Sequence, residues 1–142
     1  MRLLFACFAL LLTASLTAQD SSFETDYELA VGKGNDILMV FAGSDWCRPC
    51  MKFKKDILEQ SAFQAFAKDK VTVLYLDFPQ KKKNRLTPYL TEQNESLAEQ
   101  YNPEGQFPKV VLLGGNGRVK TTLTYDGKQS VESFISQVRD AQ

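Results

Sequence analysis

The strongest constraint on this chain is the stretch Trp46-Cys47-Arg48-Pro49-Cys50. An apolar run, Ile37-Leu38-Met39-Val40-Phe41-Ala42, leads into it, and a helix-like segment from Met51 to Gln60 leads out. The run has the length and β-branched content of a buried strand. Apolar residues on both of its faces place it centrally in a sheet. Two cysteines at a strand-to-helix turn can close a small disulfide ring or open to a dithiol. At the helix start, Cys47 would meet unpaired N–H groups and the positive end of the helix dipole, both of which favour a thiolate. The thiolate is the nucleophile in disulfide exchange. Cys50, one turn further in, is expected to be less accessible and to act as the resolving thiol. Pro49 suits the first turn, where its missing N–H is not needed.

The 142 residues suffice for one domain with a real core. Residues Met1 to Ala18 read as a secretory signal peptide, with Arg2 as the positive start and Leu3 to Leu12 as the apolar stretch. The alternative is a short N-terminal membrane anchor, against which stands the brevity of the run. This divides the chain into a signal peptide, residues 1–18, and a domain over residues 19–142. Cys7 leaves with the signal peptide, so Cys47 and Cys50 are the cysteines of the exported form. A single CxxC is not the framework that staples small secreted domains. It is either a structural bridge or a redox pair, and the tight spacing at a helix start favours redox.

Lysine plus arginine and aspartate plus glutamate both number 17, so formal charge is zero, and no strong field points to nucleic acid or an anionic membrane surface. There is no histidine, which removes histidine-based catalysis and most zinc sites. Lys81-Lys82-Lys83-Asn84-Arg85 lacks interleaved aromatics and reads as a solvated loop rather than a nucleic-acid patch. Lys52, Lys54 and Lys55 read either as a solvated helix face or as a field that keeps Cys47 ionised.

The rest of the chain supplies the frame. Thr25 with Glu28 fits a capping box for a short helix to Val31. Ser61 is placed to cap a helix carrying Phe63, Phe66 and Ala67. Val71 to Phe78 reads as a second, largely buried strand ended by Pro79. Gln80 to Pro88 is a polar insertion. Thr87-Pro88 opens a helix with Leu90, Leu97, Ala98 and Tyr101 on one face, and Asn102-Pro103-Glu104-Gly105 ends it. Lys109 to Leu113 and Arg118 to Tyr125 form a hairpin around Gly114-Gly115-Asn116-Gly117. Ser130 caps a last helix with Val131, Phe134, Ile135 and Val138 at core spacing. This order predicts an α/β sandwich with a mixed central sheet and helices on both faces.

Phe41 through Cys50 resembles the active-site region of the thioredoxin family. Gly105-Gln106-Phe107-Pro108-Lys109-Val110-Val111-Leu112-Leu113 resembles its second anchor. The resemblance runs from about Tyr27 to Ala141 and implies the thioredoxin-like fold. It implies a cis-proline at Pro108 facing the CxxC, and a redox-active Cys47–Cys50 disulfide with no further cofactor and no metal. Phe107 and Pro108 would bind substrate backbone as an added strand, with Trp46 and Phe107 as an apolar rim. Many members bury an acid six positions before the first cysteine, paired with a lysine on the neighbouring strand. Here the acid's place holds Phe41, and the lysine's place aligns with Val73. Replacing both partners of a buried ion pair by apolar groups need not cost stability. Asp45, the nearest carboxylate in sequence, is expected to be exposed. Arg48 replaces a usual glycine, and a cation there makes the pair more oxidising; Pro49 belongs to the reducing members.

The resemblance thus implies a reductase-like thiol-disulfide oxidoreductase, and the expected signal peptide places it in an exported compartment, the bacterial periplasm first and secretion second. Expected partners are protein or small-molecule disulfides, with a membrane thiol relay as electron donor, and the chain is expected to act as a monomer. Two other readings stand beside it. One is a binding module without turnover, such as a metal carrier, though two thiolates leave a zinc site half filled. The other is a structural disulfide resistant to dithiothreitol.

Overall fold

The computed structural model describes residues 23–142, so the expected signal peptide lies outside the described residues. The elements in order are α1 (Phe23–Lys33), β1 (Asp36–Ala42), α2 (Arg48–Phe53), α3 (Ser61–Lys70), β2 (Val71–Asp77), α4 (Pro88–Tyr101), β3 (Lys109–Leu113), β4 (Val119–Leu123) and α5 (Val131–Asp140). The sheet order is β2-β1-β3-β4. β1 runs parallel to β2 and antiparallel to β3, and β4 closes the hairpin. The sheet is therefore mixed, as expected from sequence.

Alternation along β1 divides the core into two layers. Leu38, Val40 and Ala42 pack with Phe53, Phe63 and Phe134 from α2, α3 and α5. Ile37, Met39 and Phe41 pack with Ala30 of α1 and Leu97 of α4. Every residue of β1 is buried, as a central strand requires. Among the described residues, no helix is long and apolar enough to cross a membrane.

Several local expectations need correction. Thr25 lies inside the first turn of α1, not at its cap, and the helix continues past Val31 to Lys33. The N-cap of α3 is Gln60 rather than Ser61, and it makes no side-chain capping bond. β2 is an edge of the sheet and only alternately buried, because its apolar residues need cover on the β1 side and not all round. The active-site helix is not one α-helix to Gln60. After Phe53 it widens into a π-helical turn, Lys54–Leu58, which lets the consecutive residues Ile57 and Leu58 both face the core. Side-chain amides satisfy nearby carbonyls: Gln60 Nε2 donates to the Lys55 carbonyl at 2.8 Å, and Gln64 Nε2 to that of Leu58.

The caps read from side-chain chemistry are present. Thr87 Oγ1 accepts from the Leu90 N–H at 3.3 Å, and Ser130 Oγ from the Ser133 N–H at 3.2 Å. The Gly114–Gly117 turn joins β3 to β4, with Gly117 at φ +75°.

Candidate active site

Cys47 and Cys50 are joined in a disulfide with their Cα atoms 5.2 Å apart. Cys47 is the N-cap of α2, and its sulfur accepts the Cys50 N–H at 3.2 Å. The sulfur thus occupies the position where an N-cap oxygen ordinarily sits. An N–H aimed at Sγ and the start of a helix both favour negative charge on this sulfur once the bond opens. Cys47 is 4% exposed and Cys50 1%, so the first cysteine is the more open of two largely covered ones. Pro49 lies in the first turn of α2, and Arg48 is exposed beside it.

Trp46 is 39% exposed yet fixed in place. Its indole N–H donates to the Phe78 carbonyl at 2.8 Å. Its ring meets Phe107 edge-on at 5.3 Å, and Phe107 meets Phe78 at 5.3 Å. Phe78 in turn stacks on Phe41. This aromatic chain links the CxxC turn, the end of β2 and the loop before β3. It brings Phe107 and Pro108 to the disulfide end of the sheet, sixty residues from it in sequence. The Phe107–Pro108 peptide bond is cis. Asn102 holds that loop from behind: its amide donates to the Gln106 carbonyl at 2.8 Å and accepts the Gln106 N–H at 2.9 Å.

Phe41 is fully buried. Its strand neighbour is not Val73, however. The β1–β2 register pairs Phe41 with Leu76 and Leu38 with Val73, which belongs to the other layer of the core. Phe41 and Leu76 both pack in the layer with α1 and α4, whereas Cys47 and Cys50 share the other layer with Val40 and Ala42. Phe41 therefore does not stand in the acid's place, and the face of β1 that packs with the cysteines is apolar.

Of two carboxylates at the site, the role of Asp77 escaped the sequence reading and that of Asp45 was underrated by it. Asp77, at the end of β2, accepts from the Ser44 N–H at 2.8 Å and from its hydroxyl at 2.6 Å. Asp45, expected to be exposed, is half-buried and grips the polar insertion. It accepts from the N–H groups of Gln80 at 2.9 Å and Lys81 at 3.0 Å, and from Asn84 Nδ2 at 2.8 Å. These bonds, led by that from Gln80, hold the Asp45 carboxyl below its ordinary range. An acidic residue one position before the Trp-Cys pair was the available signal, but its partners lie 35 or more residues away.

The lysines of the active-site helix are largely spoken for. Lys52 pairs with Asp56, and Lys54 lies 3.9 Å from Glu59 and over the ring of Tyr75. The solvated-face reading of these charges fits this arrangement better than a field aimed at Cys47. Among the described residues, no group of three or more His, Cys, Asp or Glu side chains is placed to hold a metal ion.

A thioredoxin-like domain family matches residues 23–142 of this chain. The chain belongs to that family. It is 29% identical over 128 residues to a disulfide bond reductase, DsbH, of Chlamydia pneumoniae, covering 90% of this chain and 75% of that protein. It is 31% identical over 100 residues to the thioredoxin-related protein DsbJ of the same organism, covering 66% of this chain but only 27% of that one. A solved structure of a DsbH oxidoreductase superposes with a TM-score of 0.77 at 28% identity, covering 85% of this chain and 81% of that one. A disulphide isomerase from Xylella fastidiosa, at 17% identity and a TM-score of 0.63, shares the fold. The family's redox centre is the CxxC, and here it is the Cys47–Cys50 pair itself.

Proposed function

We propose that this protein is a thiol-disulfide oxidoreductase that works in the reducing direction on exported substrates. The observation that carries the reading is the Cys47–Cys50 pair at the N-cap of α2, under an aromatic rim of Trp46 and Phe107. The similarity to a disulfide bond reductase over 90% of this chain supports it.

In the reduced protein, the Cys47 thiolate attacks one sulfur of a substrate disulfide. A Cys47–substrate bond forms, the substrate's S–S bond breaks, and the departing sulfur leaves as a thiolate that takes up a proton. Cys50 then loses its proton and attacks Cys47 Sγ. The Cys47–Cys50 bond forms and the second substrate thiol departs. The substrate gains two electrons and the protein loses two, which a dithiol donor must return. Phe107 and Pro108 present backbone and an apolar edge to the substrate strand. Trp46 walls the sulfur, while Arg48 and Pro49 tune the pair.

The N-terminal residues 1–18 act as a signal peptide in this reading, delivering the domain to the periplasm. A membrane thiol relay supplies its electrons, and the protein acts as a monomer. The test is to express Cys50→Ala in the native compartment and separate captured proteins without reductant. Exported proteins joined through Cys47 are expected. Absence of any Cys47 adduct would overturn the reading. The low exposure of both cysteines favours a second reading, a structural bridge. That reading forecasts a bond that millimolar dithiothreitol leaves intact.

A further inference from the structure

We propose that the groove between the polar insertion and α4 is a specificity site for the polypeptide flanking a substrate's cysteine. It takes an apolar side chain on its floor and a lysine or arginine at its α4 rim. This rests on the oxidoreductase reading and adds the substrate class.

The groove measures about 800 Å³, and Trp46, the residue before Cys47, lines one end of it. Trp46 and Phe107 line it and also form the rim of the active site, so the two are continuous. Phe78, Leu86, Pro79 and Pro88 extend the apolar lining away from the cysteines. Leu86 and Pro88 come from the insertion and the start of α4, and Asp45 fastens the insertion to the CxxC turn. The groove therefore depends on a segment tied to the active site itself.

A polypeptide joined to Cys47 has its neighbouring residues held next to Trp46. An extended chain advances about 3.3–3.6 Å per residue, so side chains two to four positions from the cysteine reach the groove. Because the groove lies to one side of Trp46, it serves one flank of the substrate cysteine and not both.

The charge at the rim selects among polypeptides. Asp77, Glu92 and Glu95 line the groove against a single cation, Arg85. Both oxygens of Asp77 are engaged by Ser44. Among the described residues, Glu92 and Glu95 make no ion pair, and Glu99 continues the same face of α4 without one. The α4 side of the rim is negative over an apolar floor, whereas the insertion wall carries Arg85 and, between Gln80 and Arg85, the exposed Lys81, Lys82 and Lys83. The α4 side alone fits a basic residue next to an apolar one.

The reduced full chain should be offered cysteine peptides carried as mixed disulfides with glutathione. Peptides with Phe and Lys on one flank of the cysteine are compared with Gly and with Phe–Glu counterparts, for each flank in turn. Burial of much of an aromatic side chain predicts a preference of about tenfold in second-order rate for Phe over Gly, on one flank only. Lys over Glu should add about two- to fivefold, and this part should shrink at high salt. In Leu86→Asp the Phe preference should collapse, and in Glu92→Lys/Glu95→Lys the Lys preference should vanish or invert. Equal rates for all peptides, or preferences unchanged in both variants, would overturn the groove while glutathione disulfide is still reduced. If the reduced protein leaves glutathione disulfide itself intact, the oxidoreductase reading fails and takes the groove with it.

Discussion

Gly43 and Trp46 compete for one space: a Cβ at Gly43 would lie 2.3 Å from the indole Cε2 of Trp46. The ring lies across the backbone three residues before it, and a hydrogen at Gly43 is what permits that. The indole is also tied to Phe78 and Phe107, so it cannot yield freely. Gly43→Ala should therefore cost about 1–3 kcal/mol, the range for overpacking, and should slow the reduction of protein disulfides. Urea unfolding of the oxidised protein checks the first part. An unchanged midpoint would mean that the indole rests elsewhere.

Cys47 should be the attacking sulfur. Cys47→Ser is expected to abolish reduction of insulin, whereas Cys50→Ala should form mixed disulfides and fail to release them. Alkylation of the reduced protein at neutral pH should modify Cys47 first. Faster modification of Cys50 would reverse the assignment.

Arg48 is exposed and makes no ion pair among the described residues. Next to Cys47 in sequence, its charge is expected to favour the Cys47 thiolate and with it the reduced form. Arg48→Gly should shift the potential to more negative values by about 5–20 mV, the scale of a surface charge at a helix end. Equilibration with glutathione buffers measures this. No shift would show that solvent and salt screen the guanidinium.

The Asp45 clamp should loosen in acid. The carboxyl titrates near 3.8 in the unfolded chain and lower in the folded one. Its contribution is therefore full above pH 3.8 and fades as pH falls through the folded value. Amide exchange at Gln80 and Lys81 should report the loss. At neutral pH, Asp45→Ala should reproduce it, raising exchange at both amides by about tenfold or more. Unaltered exchange would mean that the insertion is held by other contacts.

Phe41→Asp should destabilise the reduced protein by at least about 3–5 kcal/mol. It removes a fully buried ring and puts an unpaired carboxyl in its place. Chemical denaturation decides it, and a loss under about 1 kcal/mol would contradict the burial of β1.

Some local signals held, while others, the Thr25 and Ser61 caps and the unbroken active-site helix, did not. The run Ile37–Ala42, the Gly-rich hairpin and the Thr87 and Ser130 caps depend on neighbours within a few residues, and their signals are local. The Cys47 placement was legible for the same reason. Parallel register is not local, and a wrong offset assigned Val73 to Phe41 in place of Leu76. The groove was invisible because its walls come from three separate segments. Asp45 was underrated because its bonds reach into an insertion whose composition says only that it is polar.

The bond from Trp46 to Phe78 has a practical consequence. The chain has a single tryptophan, which directly precedes Cys47 in sequence and lines the groove. Light absorbed at the red edge of the aromatic band therefore interrogates one place in the molecule. Opening of the sulfur bridge, occupation of the groove and release of the indole all alter emission from the same fluorophore. Turnover and binding can be followed on the unlabelled protein, with no dye near the chemistry.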